Sequence, residues 1–374
     1  MTPPRTAPAP RAIDFVSTGG ARAGLGHVMR CATLANEARR RGWQVRVFLS
    51  GDEVVTRIWS ERTGAAPDGG QKDWHPSDRT PIVALDFPEP KDDWIDRLEG
   101  LGLESLVIDD DRPTRPTPTW RMLPGLHHAI DAAATPTTGG TSSLVGGRFA
   151  ILAKLHRTIP ARPRSERDRL LVTLGGADPH AFTPGLAIAL RDALSRSNED
   201  VGAVDVVLGP AFHDPTDTLH DQIADLGFDV HRGLAPQAMG ACMAAARLAI
   251  VGFGTSLTEL AWHGTPFLCV PHHEADLPPA RRLEQADIGR VLDIDRLPDS
   301  AAVVRKLSSA LEDTTWQRRS AAAAQAALDG AHGECLLFDR LEADAFRRRA
   351  AAGADQPGAG AKGPGEVALS DAPC

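Results

Sequence analysis

Residues Gly24-Leu25-Gly26-His27-Val28-Met29-Arg30-Cys31 join a glycine-rich bend to an ionisable ring and to a guanidinium three residues on. An imidazole titrates near neutrality, so it can take a proton from water or from an alcohol at pH 7. His27 is therefore the candidate general base. Gly24 and Gly26 let a ligand approach the backbone closely, and Arg30 is a candidate substrate contact. A histidine at a helix start also serves as a cap or a packing residue, so the rest of the chain must supply its reason.

The second set is Ile250-Val251-Gly252-Phe253-Gly254-Thr255-Ser256-Leu257-Thr258-Glu259. A strand ends at Ile250-Val251, Gly252 and Gly254 free the turn, and a helix opens at Thr255-Ser256. The unpaired N–H groups and the dipole at such a helix start favour a diphosphate. Glu259, one turn on, is placed to accept from ribose hydroxyls. The bland alternative, a Ser256 cap with an acidic first turn, is compatible with a ligand. A third loop, Leu174-Gly175-Gly176-Ala177-Asp178-Pro179, again follows a strand, with Asp178 ready to cap the next helix. The fourth, Pro271-His272-His273-Glu274-Ala275-Asp276, offers His272, His273, Glu274 and Asp276 as substrate contacts at a cleft edge.

These loops need strands to hold them. Short Val/Ile/Leu-rich runs at Ile13–Val16, Val45–Leu49, Ile82–Leu85 and Ser105–Ile108 alternate with helical pattern. That rhythm predicts a parallel sheet covered on both faces. Leu155–Asp168, with two prolines and several charges, reads as a linker. The rhythm then restarts at Leu170–Thr173, Val204–Leu208, Leu248–Val251 and Phe267–Val270. The expected organisation is a flexible segment 1–11, a first domain 12–154, a linker 155–168, a second domain 169–351 ending in helices, and a disordered tail 352–374. Thr135–Ser143 reads as a low-complexity loop. The last helical stretch is long enough to cross back onto the first domain. In open α/β sheets, ligands sit beyond the carboxyl ends of the strands, which is where all four glycine or proline loops lie.

With 374 residues the chain can bury two cores. A net charge of -8, without a basic stripe, argues against nucleic acid. The arginine clusters 39–41 and 347–349 read as solvated helix ends. Five cysteines without a CxxC pair or Cys/His metal spacing predict no metal centre, and three of them (Cys31, Cys242, Cys269) read as small core residues. The odd cysteine count and the absence of a signal-type apolar segment point to a reducing cytoplasm. No apolar run is long enough to span a bilayer, which leaves surface contact with a membrane open. The pair His127-His128 follows a Pro-Gly turn and reads as entering a short strand in a packing role. Asp109-Asp110-Asp111 reads as a solvated loop or a contact to substrate. The oligomeric state is not legible.

On these residues the chain resembles the hydrolase family that cleaves UDP-2,4-diacetamido-2,4,6-trideoxy-β-L-altropyranose in pseudaminic acid biosynthesis. More distantly it is similar to the peptidoglycan GlcNAc transferase and other GT-B glycosyltransferases. The resemblance runs from about Ile13 to Leu292: GLGHVMRCATLA (24–35), Ile108–Asp111, VGGRFAILAKLHR (145–157), LLVTLGGADP (170–179), VDVVLGPAF (204–212) and GFGTSLTELAWHGTP (252–266). It implies a GT-B-like α/β architecture of two Rossmann-like domains facing a cleft. It also implies His27 as the base, and uridine and diphosphate held at Gly175, Gly176, Gly254, Thr255, Ser256 and Glu259, with no metal or cofactor. Three family features are replaced here. Ser17-Thr18 stands where an Asp is usual before the GxGH loop, the stretch Pro271–Leu277 lacks the Asn-Gln pair that commonly holds the sugar after this strand, and Asp86-Phe87-Pro88 stands for an Asp-x-Tyr in a chain with no tyrosine.

The expected function is hydrolysis of a UDP-activated amino or deoxy sugar, with water attacking the anomeric carbon and UDP leaving. The alternatives are a GT-B glycosyltransferase with a sugar or lipid-linked acceptor, and a non-catalytic nucleotide-sugar binding protein. The partner expected in each case is a small nucleotide-sugar.

Overall fold

The computed structural model describes residues 11–112, 116–130, 141–197, 199, 201–214, 216, 218–294 and 300–354. The segments 1–10 and 355–374 and most of the TPTTGGTSS stretch lie outside the described residues.

The first sheet is built from β1 (Ala12–Thr18), β2 (Gln44–Ser50), β3 (Ile82–Asp86), β4 (Glu104–Ile108), β5 (Trp120–Leu123) and β6 (Ser142–Val145). Between them run α1 (Gly26–Arg40), α2 (Glu53–Thr63) and α3 (Asp92–Gly100), and α4 (Leu155–Thr158) follows. Every pairing is parallel, in the order β2-β1-β3-β4-β5-β6. Residues of β1 are buried on both faces, as in a parallel strand covered on both sides, and its one carboxylate, Asp14, is paired with Arg46 and accepts from Trp74 Nε1 at 2.9 Å.

The second sheet comprises β7 (Arg169–Thr173), β8 (Ala203–Leu208), β9 (Asp229–Arg232), β10 (Ala246–Gly252), β11 (Phe267–Val270) and β12 (Arg290–Val291). Its helices are α5 (Phe182–Arg196), α6 (Leu219–Ala224), α7 (Pro236–Ala245), α8 (Ser256–Trp262) and α9 (Leu277–Gln285). The order β9-β8-β7-β10-β11-β12 is that of a dinucleotide-type doubly wound sheet. Asp178 caps α5 as expected, accepting from the N–H groups of Phe182 and Thr183 at 3.0 and 2.7 Å. Four strands escaped the sequence pattern. β5, β6, β9 and β12 are short and broken by Arg, Ser, Asp or His, so they carry no apolar run. His127-His128 does not enter a strand: it forms a 3₁₀ turn, Leu126–His128, after β5.

The chain closes with α10 (Ser300–Glu312), α11 (Thr314–Leu328) and α12 (Gly333–Ala354). The last of these returns to the first domain. Leu337, Phe338 and Leu341 share a core with Ile13, Val28 and Trp43. The Trp43 and Phe338 rings meet edge-on at 5.3 Å, and Trp43 Nε1 donates to Glu342 at 3.0 Å. No helix among the described residues is long and apolar enough to cross a membrane.

Glu37 shows how α1 is anchored. Its carboxylate is 1 % exposed and pairs with Arg40, Arg41 and Lys154. Burial alone would raise its pKa, but the three cations outweigh that and hold it at about 2. Its stabilising contribution is therefore complete above the unfolded carboxyl value of about 4.3 and disappears as pH falls towards 2. Denaturation midpoints at pH 5 and pH 3 are expected to converge in Glu37→Gln relative to the parent chain; an unchanged pH dependence would count against this role.

Candidate functional site

A doubly wound sheet opens a crevice where the strand order reverses. In the second sheet that point lies between β7 and β10, whose carboxyl ends carry Gly175-Gly176 and Gly252–Gly254. In the first it lies between β1 and β3. The loop after β1 delivers His27, and β3 ends on Asp86. Both crevices face each other. A methyl group built on Gly26 would stand 3.7 Å from Thr255 Cγ2, and one on Gly176 would strike Leu25 at 2.7 Å. The bends have the backbone that glycine permits: Gly24 and Gly175 have φ of 71° and 88°.

His27 Nδ1 lies 2.6 Å from Asp86 Oδ1. Arg30 grips the same carboxylate, with Nε on Oδ2 at 3.1 Å and NH2 on Oδ1 at 2.8 Å, while its NH1 reaches Asp109. Asp86 is fully buried and Arg30 is buried. Burial works against ionising Asp86, yet Arg30 and His27 together hold its pKa far below the usual carboxylate range. A carboxylate can only accept, so Nδ1 carries the proton of the 2.6 Å contact. Arg30 NH2, 3.0 Å from the same nitrogen, is then a neighbour and no hydrogen-bond partner. Nε2 makes no hydrogen bond among the described residues, and in the neutral ring it is the nitrogen that holds the lone pair. This is the arrangement of an oriented base.

Asp86 was read from the sequence only as a departure from a motif. The Ser17-Thr18 stretch of β1 supplies no carboxylate; instead Ser17 Oγ donates to the Asp86 carbonyl at 2.8 Å and steadies the end of β3. Asp109 and Asp110 also depart from the expected solvated loop. Asp109 pairs with Arg30, and Asp110 accepts from buried Lys91 at 3.0 Å and from Arg112.

On the opposing wall, the N–H groups of Gly254, Thr255 and Ser256 find no acceptor among the described residues, and no side chain caps α8. Glu259 is bound by the chain itself. His156, on α4 between the domains, lies 3.3 Å from Oε1 through Nε2, and its Nδ1 is 3.1 Å from His263 Nε2. Glu259 can only accept, so His156 donates to it from Nε2, and a single proton serves the contact between His156 Nδ1 and His263 Nε2. Burial, reinforced by His156, lowers His263 to about 4, which keeps its ring neutral at pH 7. Burial opposes the Glu259 charge, but His156, together with Arg62 from α2 across the cleft, keeps it ionised.

The loop after β11 is largely committed to its own fold. Asp276 accepts from the N–H groups of His272 and His273 at 3.1 and 2.9 Å. His272 Nε2 lies 3.0 Å from the Leu174 carbonyl, and its ring stacks on Phe182 with centroids 6.1 Å apart. It fills the space that a side chain at Gly252 would need, 2.6 Å from a Cβ there. His272 and Asp276 thus hold the Gly175 and Gly252 loops together. His273 and Glu274 remain exposed. Between the two walls lies a cavity of about 40 Å³ lined by Arg30, Asp109 and His127 on one side and Phe253, Gly254 and Thr255 on the other.

No protein-family model matches the chain, and no curated protein matches it in sequence. Solved structures do match its fold over nearly the whole length. MurG of Acinetobacter baumannii superposes with a TM-score of 0.60 at 13% identity, over 89% of this chain and 99% of that one. CalG4, the calicheamicin glycosyltransferase, gives 0.62 at 16% identity over 90% and 99%. MnaA of S. aureus, in a UDP co-structure, gives 0.62 at 8% identity over 89% and 96%. The architecture is the two-domain, Rossmann-like GT-B fold expected from the sequence.

Proposed function

We propose that this chain is an enzyme of nucleotide-activated sugars, moving a glycosyl group from a nucleoside diphosphate to a hydroxyl acceptor. The observation that carries the reading is the pairing of His27 with Asp86 directly across the cleft from the uncapped start of α8. The diphosphate would lie on the free N–H groups of Gly254–Ser256, which stabilise the charge that builds on the leaving group. The Gly175-Gly176 loop would flank it, and Glu259 would take a ribose hydroxyl with the oxygen His156 leaves open. His27, held by Asp86, would remove the acceptor proton through Nε2 as the oxygen attacks the anomeric carbon. A single displacement of this kind inverts that carbon. The residues do this without a metal step. The nucleoside is proposed as uridine, in line with the UDP bound to MnaA and with the sequence resemblance.

Transfer is preferred to hydrolysis because CalG4, the calicheamicin glycosyltransferase, shares the fold over 99% of its length. The second reading, with water as acceptor, rests on the octapeptide Gly24–Cys31. The two separate in one assay. UDP release from a panel of UDP-sugars is measured with and without added sugar or lipid-linked acceptors. Release that requires an acceptor is the expected result. Acceptor-independent release at full rate would move the assignment to the hydrolase, and tight UDP-sugar binding without any release would overturn both.

A further inference from the structure

Beside the cleft, three side chains converge, and each brings a metal-ligating atom that makes no hydrogen bond among the described residues. Asp109 follows β4 in the left-handed backbone region, at φ 56°, with its N–H donating to the Met122 carbonyl of β5 at 2.8 Å. Arg30 takes its Oδ2. Its Oδ1 is buried and has no hydrogen-bond partner. The 3₁₀ turn Leu126–His128 brings two imidazoles to this oxygen. His128 Nε2 lies 3.9 Å from it, and one ligand atom from each of Asp109, His127 and His128 lies within 4.8 Å of the other two. Neither ring makes a hydrogen bond among the described residues. The turn is built for this approach, since a Cβ at Gly125 would come within 2.5 Å of His127 Cε1.

We propose that Asp109, His127 and His128 bind one divalent transition-metal ion of the Zn²⁺ class. Two imidazoles and one carboxylate suit such an ion, whereas Mg²⁺ and Ca²⁺ prefer oxygen ligands throughout. Bonds of about 2.1 Å place tetrahedral ligands roughly 3.4 Å apart, so the three groups close by about 1 Å, mostly through the side-chain torsions of the turn. Burial keeps both rings unprotonated, His127 down to about 3, so their lone pairs are free. Arg30 holds Oδ2 and leaves Oδ1 as the ligand, the usual task of an outer partner. Asp86, Asp109 and Arg30 together leave one negative charge beside the ion. His127 also lies 5.4 Å from the Phe253 ring of the second domain, so a bound ion would tie the turn to the domain interface. The site does not depend on the nucleotide-sugar reading.

The test uses the full chain with any affinity tag removed, stripped by chelator, loaded with Zn²⁺ or Co²⁺ and passed through gel filtration. About one ion per chain is expected to remain, falling to about a tenth or less in the His127→Ala, His128→Ala double variant. His220→Ala, an exposed histidine elsewhere, is expected to retain the full ion. X-ray absorption of the Zn²⁺-loaded parent chain supplies a readout that needs no variant: two imidazole nitrogens and oxygen at about 2.0–2.1 Å. No retained ion, equal retention in the double variant, or a sulfur-containing or single-imidazole shell would overturn the proposal.

Discussion

Replacing His27 by alanine is expected to slow release of the nucleoside diphosphate by about 10²–10⁴-fold, the usual contribution of a positioned general base. Binding of UDP, measured calorimetrically, is expected to stay within about threefold, because the groups proposed to hold it belong to the other domain. The fold should tolerate the change. His27 is 20 % exposed in its side chain, and Asp86 keeps both of its bonds to Arg30 when the ring is removed. A variant that releases UDP at the parent rate would remove His27 from the mechanism. One that loses UDP affinity to the same degree as rate would make it a binding residue.

Asp86→Ala is expected to be the most damaging single substitution for stability. It leaves the buried Arg30 guanidinium with Asp109 as its only carboxylate, and breaking a buried ion pair from one side costs about 3–5 kcal/mol. The effect should appear as a lower urea midpoint for the first domain. The pH behaviour follows from the sign of the shift. Asp86 is held far below its unfolded value of about 3.9, so its contribution is complete above that value and is lost only as pH falls through its folded value. The stability difference between parent and variant is therefore expected to be flat from pH 5 to pH 8 and to shrink only in strong acid. A difference that changes across neutrality would show that another group carries the effect. Activity should fall with it, since an unanchored imidazole loses both its tautomer and its direction.

Much of the site could be read from the chain because its parts are local. A buried run ending in glycines and followed by a 3.6-residue period is written in consecutive residues, as at Ile13–Arg40 and Leu248–Trp262. The helix start at Thr255-Ser256 and the cap at Asp178 are likewise short-range features. The missed strands failed for the same reason in reverse: β12 is two residues long, and β9 has Val230 as its one apolar residue, so each is held by its neighbours and not by its own pattern.

Partnerships across strands were the illegible part. His27 and Asp86 are 59 residues apart, and nothing in either segment names the other. Their meeting depends on β1 lying beside β3, and a strand order leaves no mark on hydrophobic periodicity. Glu259 and His156 belong to distant segments of the chain, so the contact of Glu259 with α4 is written in neither. His272 and Asp276, read as substrate contacts, are bonded to Leu174 and to their own loop because the crevice at β7 and β10 needs a brace.

By itself, then, the sequence determined the two α/β units, the glycine loops at the strand ends and the ring at the start of α1, since all of these follow from short-range backbone and packing preferences. The tertiary structure alone decided what surrounds that ring: the buried Asp86 and Arg30 that orient it, the helix start that faces it, and the convergence of Asp109, His127 and His128 beside it. Each is set by long-range packing of whole elements, whose free energy is shared over many contacts and written in no single stretch of the chain.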